Sequence, residues 1–175
     1  MALRTILMKG DSGLEKKSRQ VTSFNRRIHT LIDDMLETLR DAGGVGLAAP
    51  QVGILRRVVI VLETNVAEDE EEHYIELVNP EIVEVEGEQE GAEGCLSIPG
   101  EFGIVKRPMR VLLRAQDRFG EPFEVWGEGL TARAFCHETD HLDGILFESL
   151  VERMLTPEEL EAMENRGNAD EEEDL

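Results

Sequence analysis

The chain has 175 residues, 41% of them apolar, which is enough for one domain with a real core. Asp and Glu number 38 against 18 Lys and Arg, a formal net charge of -20 that disfavours binding of nucleic-acid backbone through the acidic segments. The longest strongly apolar run, residues 58–62, is too short to span a bilayer.

Residues 1–10 carry one short apolar patch and no small-residue cleavage site, which argues against a secretory signal and makes the cytoplasm the expected address. Charge is spread unevenly. Residues 1–60 hold ten Lys/Arg against six Asp/Glu, 61–105 none against fourteen, 106–156 seven against nine, and 157–175 one against nine. The plain reading of the acidic stretches is a solubilising surface. Cys95 and Cys136 lie 41 residues apart, and in a cytosolic chain a ligand, nucleophile or buried thiol is the expected use rather than a disulfide.

In chain order, Phe24, Ile28, Leu31, Ile32, Met35, Leu36 and Leu39 recur at spacings of three and four. That stripe predicts a core-packing helix, with Ser23 as N-cap and Gly43-Gly44 as its stop. Residues 44–51, GVGLAAPQ, come next. Their small side chains would let another chain lie against the backbone, with Gln51 as a neutral amide donor at the end, although a tight helix-to-strand turn explains the same residues. Residues 57–63 read as a buried strand, 74–78 and 82–86 as two shorter ones, and 68–72 as a charged loop tip. Residues 109–117 and 122–128 flank Arg118-Phe119-Gly120, a hairpin signal. A second helix is expected over 129–141, ended by Asp143-Gly144, and Thr156-Pro157-Glu158-Glu159 is a capping box opening a third. The expected organisation is one domain over 1–164 and a disordered acidic tail over 165–175. The fold class is α+β: short, mostly antiparallel strands around the helix of residues 129–141, with an N-terminal and a C-terminal helix.

The sharpest chemical signal is His137-Glu138-Thr139-Asp140-His141. Residues four apart share a helix face, so two imidazoles can reach one ion while Glu138 flanks it. A third ligand must come from elsewhere. His29 and His73 are isolated and read as solvated side chains. Glu161, twenty residues beyond His141, stands where some zinc peptidases place a carboxylate, though a solvated face of an acidic helix explains it too. Cys95, in Glu93-Gly94-Cys95-Leu96-Ser97, would complete a Cys-His-His set with one open position, and its plain alternative is a buried free thiol. A four-ligand structural site is disfavoured, because Cys136, the only extra thiol, points to a different side of the helix from its neighbour His137.

Taken together, GVGLAAPQ, EGCLS and HETDH, in this order and spacing, resemble the three motifs of the peptide deformylases. The resemblance runs from about Ile6 to Leu150, with Cys136 and Thr139 standing where the family commonly has Gln and an aliphatic residue. It implies a cytoplasmic hydrolase that removes the formyl group from N-formylmethionyl nascent polypeptides, releasing formate. It implies Fe(II), replaceable by Zn, Ni or Co, on Cys95, His137 and His141, and a metal-activated water with Glu138 as general base and then acid. It further implies Gln51 and the Leu96 backbone N–H as oxyanion donors, strand-like peptide binding along Val45 and Gly46, and a methionine pocket near Val45, Ala134 and His137. Transient ribosome contact is implied as well. The acidic tail, net -8 over 157–175, should not serve as the anchor, and the basic face around Lys16, Lys17, Arg26 and Arg27 should.

Overall fold

A computed structural model describes residues 2–64 and 71–173, with side chains up to residue 166. In order, the elements are α1 (Arg26–Ala42), β1 (Gly46–Ala48), β2 (Val58–Leu62), β3 (Tyr74–Glu86), β4 (Gln89–Cys95), β5 (Ile98–Arg107), β6 (Arg110–Gln116), β7 (Pro122–Glu128), α2 (Leu130–Leu142), β8 (Arg153–Met154) and α3 (Pro157–Glu173). Every pairing between these strands is antiparallel. One sheet runs β1-β2-β3-β6-β7 and the other β4-β5-β8. The chain is therefore α+β, as its patterning predicts.

Strand β2 explains the layering. Successive strand residues face opposite ways, so a strand apolar at every position must be covered on both sides. Val59 and Val61 pack with Leu77, Leu113 and, from α2, Phe135 and Leu142. Val58 and Ile60 pack on the other face against Ile28, Ile32, Met35 and Leu39 of α1. The five-stranded sheet thus separates α1 from α2, and α2 lies between it and the smaller sheet, where Ile98, Val105 and Phe147 form a satellite core. Among the described residues no helix is long and apolar enough to cross a membrane.

Three expectations need correction. The N-cap of α1 is Asn25, not Ser23: its Oδ1 accepts from Arg27 N and Ile28 N, at 3.1 and 3.4 Å. Gly43 ends the helix in the left-handed conformation, φ 70°. The two strands expected over 74–78 and 82–86 are one, because a bulge between Val78 and Glu81 absorbs Pro80 without ending the pairing. Asn79 holds that bulge at φ 51°, accepting from Val21 N and donating to Val21 O and Gln116 Oε1, each at 2.8 Å. Strands β4 and β5 have no counterpart in the patterning, since four glycines between Gly91 and Gly103 mask the alternation.

Helix α3 spans Pro157–Glu173. Thr156 caps it reciprocally, Glu159 N to Thr156 Oγ1 at 3.2 Å and Thr156 N to Glu159 Oε1 at 3.3 Å. Glu158 and Glu159 in the first turn favour the helix dipole, and the Glu- and Ala-containing sequence beyond them propagates well once nucleated. The expected loop tip over 68–72 falls mostly outside the described residues.

Candidate metal centre

Helix α2 is unusual in that ten of its thirteen residues are buried, including the polar Arg133, His137, Glu138 and His141. Burial of so many polar groups requires partners for them. The Nε2 atoms of His137 and His141, one turn apart, lie 3.1 Å from each other. Cys95 Sγ, arriving at the end of β4, lies 3.3 Å from His141 Nε2, and the three donor atoms all fall within 4.8 Å of one another.

These residues fit a cation. First-row ions in tetrahedral sites hold imidazole nitrogens at about 2.0–2.1 Å and thiolate sulfur at about 2.3 Å, which places N···N near about 3.4 Å and S···N near about 3.6 Å. The two spacings to His141 are about 0.3 Å tighter, and all three donors fall within 4.8 Å, so they are close enough to share one ion. Burial pushes the His141 imidazole down to about 3, leaving it neutral. Burial also opposes charge on His137, but Cys95 and Glu93 raise it to about 10, so an ion taking its Nε2 displaces a proton.

Glu93 orients the centre, and it is absent from the residues singled out in the sequence. Its Oε2 is 2.8 Å from His137 Nδ1, which fixes that ring with Nε2 toward the cluster. Arg107 grips the same carboxylate in a two-point pair, Nε to Oε1 at 3.0 Å and Nη2 to Oε2 at 2.7 Å, and Arg133 Nη1 donates to Oε1 at 3.1 Å. Burial alone would raise the Glu93 carboxyl, but the hydrogen bonds from His137 and Arg107 hold it at about 2. Arg107 also reaches Asp140 at 2.8 Å, tying β5 to α2. A signal existed. Glu93 stands two residues before Cys95, and residues two apart on a strand share a face.

Glu138 is fully enclosed, its Oε2 has no protein partner, and burial, ahead of the opposing influence of His137, pushes its carboxyl up to about 7. The GVG segment is shaped around it. A Cβ on Gly46 would sit 2.8 Å from Glu138 Cγ and Oε1, and one on Gly44 2.9 Å from the Leu96 side chain. Gln51 is completely buried. Its Oε1 accepts from Ala48 N at 2.9 Å, which aims Nε2 at Ser97 Oγ, 3.1 Å away, and at Cys95 Sγ, 3.6 Å away.

A cleft of about 430 Å³ opens onto this cluster and is lined by Val45, Gly46, Cys95, Leu96, Ala134 and Glu138, among others. It therefore gathers all three sequence segments. Edge strands border it from both sheets, β1 on one side and β4 on the other. His29 and His73 lie outside it: His29 Nε2 is 2.7 Å from the Arg118 carbonyl, and His73 pairs with Glu63 at 2.9 Å. Glu161 is exposed on α3 and outside the ligand cluster, so the peptidase alternative loses its third ligand. Cys136 packs in the core beneath α2, where burial pushes its thiol up to about 11. Thr139 satisfies its hydroxyl on the Phe135 carbonyl, at 2.5 Å.

Known proteins resemble this chain in sequence and fold. The family model described as polypeptide deformylase matches residues 3–155. A peptide deformylase from Lachnoclostridium phytofermentans is 58% identical over 147 residues, covering 84% of this chain and 88% of the relative. One from Caldicellulosiruptor bescii is 51% identical over 168 residues, covering 96% and 97%. The crystal structure of a Thermotoga maritima peptide deformylase superimposes with a TM-score of 0.80 at 36% identity, covering 87% of this chain and 99% of that one.

Proposed function

The chain belongs to the polypeptide deformylase family, and from that premise we propose that it is a metal-dependent hydrolase that removes the formyl group from N-formylmethionyl nascent polypeptides and releases formate. The observation that carries this reading is the convergence of Cys95, His137 and His141 beside the enclosed Glu138, at the floor of a cleft edged by strands.

Cys95, His137 and His141 would hold the ion, with Fe(II) as the physiological metal and Zn, Ni or Co as replacements that a mixed thiolate–imidazole set also accepts. When bound, a divalent cation supplies acidity to a water and polarises a carbonyl. Glu138, whose Oε2 has no competing protein partner, takes a proton as general base and returns it to the departing amine as general acid. Gln51, locked through Oε1, and the Leu96 backbone N–H donate to the oxygen on which charge develops, so no reorganisation is needed at that moment. The peptide adds as a strand along the edge of β1 at Val45 and Gly46, and its methionine side chain enters the cleft near Val45, Ala134 and His137. The reading places the protein in the cytoplasm, in transient contact with the ribosome.

The test is formate release from formyl-Met-Ala-Ser by iron-loaded protein, with metal analysis after dialysis. Wild type should turn over and retain one ion per chain, and Cys95→Ala should lose both. Stoichiometric metal in Cys95→Ala would remove the thiolate from the ligand set, and an iron-replete wild type that releases no formate would overturn the function.

A further inference from the structure

Arg133 lines the catalytic cleft beside Ala134, although only 6% of it is exposed, and it takes no part in the proposed chemistry. A charge buried to that degree needs partners, and Arg133 finds them through one nitrogen. Its Nη1 donates to Glu93 Oε1 at 3.1 Å and to the Val105 carbonyl at 3.0 Å. Among the described residues, Nε and Nη2 have no hydrogen-bond partner. Neither is sealed in. The enclosed side-chain atoms without a partner belong to Ser18, Glu37, Arg110, Glu138 and His141, so the free donors of Arg133 reach open space, and the open space it borders is the cleft. Gly91 makes room for the group, since a Cβ there would sit 3.3 Å from Nη2.

The surroundings say what kind of guest these donors suit. Val45, Ala92, Leu130 and Ala134 give this part of the cleft apolar walls. Glu93 balances the charge of Arg133 and is itself saturated by Arg107, Arg133 and His137. A second carboxylate is therefore not called for, and a mainly apolar side chain carrying one neutral acceptor is. Reach agrees with that. Leu130, Arg133, Ala134 and His137 share one face of α2, so the cleft runs along the helix from the metal-binding end at His137. Arg133 lies four residues before His137, about 6 Å along the axis. In a formylmethionyl chain the sulfur is five bonds from the formyl carbon, also about 6 Å when extended.

We propose that Arg133 is a specificity-determining residue, donating a hydrogen bond to the thioether sulfur of the substrate's methionine, so that the cleft distinguishes methionine from an apolar side chain of equal length. This rests on the proposed function and names what selects its substrate. A thioether is a neutral, polarisable and weak acceptor, which suits a guanidinium whose charge is already balanced. The greater part of the discrimination is a penalty. Norleucine, with a methylene in place of the sulfur, strips water from the free N–H groups and offers no acceptor in return. A wholly apolar pocket would show no such preference, because a methylene gains from burial there.

The experiment compares kcat/KM for formyl-Met-Ala-Ser and formyl-norleucyl-Ala-Ser, read by formate release from the metal-loaded full chain. Taking the ratio within each protein cancels differences in its folded or metal-loaded fraction. Wild type should favour methionine by about tenfold, and Arg133→Leu should lower that ratio to about 1–2. Arg133→Lys keeps a charge for Glu93 but lacks the fork that serves two sides at once, so it should lose the preference as well. Arg107→Lys disturbs the same Glu93 carboxylate without lining the cleft, and it should keep the wild-type ratio. Equal use of the two peptides by wild type, a preference preserved in both Arg133 variants, or the same loss in Arg107→Lys would each overturn the assignment. Equal cleavage of both peptides would remove the role of Arg133 and leave the proposed function standing, whereas formate from neither would remove both.

Discussion

Helices α2 and α3 are both polar in sequence, and the chain treats them in opposite ways. In α2 the charges are buried, and they interlock with β4 and β5 through Glu93, Arg107, Arg133 and Asp140. In α3 the side chains of residues 157–166 are mostly exposed, and its attachment is local: the Thr156 cap and the two-point pair from Arg153 to Glu159, at 2.8 and 3.0 Å. A buried charge must be matched in place, so each polar residue of α2 has one permitted position. A solvated charge is satisfied by water, so α3 can vary in sequence without disturbing anything beyond itself. The difference teaches where sensitivity to substitution should lie.

That contrast can be broken or sharpened. The largest effect is expected at Glu138: Glu138→Ala should keep its metal and lose kcat by about 10²–10⁴-fold in the formate assay, the usual size of a general acid–base contribution. Near-normal turnover in a metal-replete variant would place the proton elsewhere. Arg107→Ala removes the two-point partner of Glu93, leaving that buried carboxylate only Arg133 and His137, and frees Asp140, so it should cost up to about 3–5 kcal/mol of stability, the size for breaking a buried pair, read by urea denaturation. A loss below about 1 kcal/mol, the size of an exposed pair, would mean that α2 does not depend on the network. Gln51→Leu should lower kcat by about 10²–10³-fold with little change in KM, as expected for a donor used in the transition state. An effect confined to KM would make Gln51 a substrate-binding residue instead. At the other extreme, Glu159→Ala, which breaks an exposed pair, should leave the urea midpoint nearly unchanged, and deletion of residues 165–175 should leave formate release unaltered. A shortened chain with impaired turnover would show that α3 communicates with the cleft.

The parts of the site that depend on local spacing are legible in the sequence. HETDH places two histidines on one helix face wherever the helix lies, and the apolar stripe over 24–39 and the run over 58–62 reveal α1 and β2 by periodicity alone. Cys95 and Gln51 can be named because each sits in a segment of small residues, a texture that marks close approach. Glu93, Arg107, Arg133 and Asp140 cannot be grouped, since their contacts span up to 40 residues and an arginine in a strand looks the same whether buried or exposed. Strands β4 and β5 hide behind their glycines, and β3 looks divided because Pro80 reads as a break until Asn79 is seen holding the bulge. In each case the missing information is a partner distant in the chain.

The brevity of β1 has a consequence for self-association. An unpaired strand edge is a template on which any extended chain can add, including another copy of the same protein, and long flat edges of this kind seed aggregates. Here that edge is three residues long, bounded by Gly43-Gly44 before it and a 3-10 turn after it. A peptide end can align with it for a few hydrogen bonds, but no extended sheet can propagate from it. The shortness of β1 therefore keeps a second copy from building a sheet on that edge.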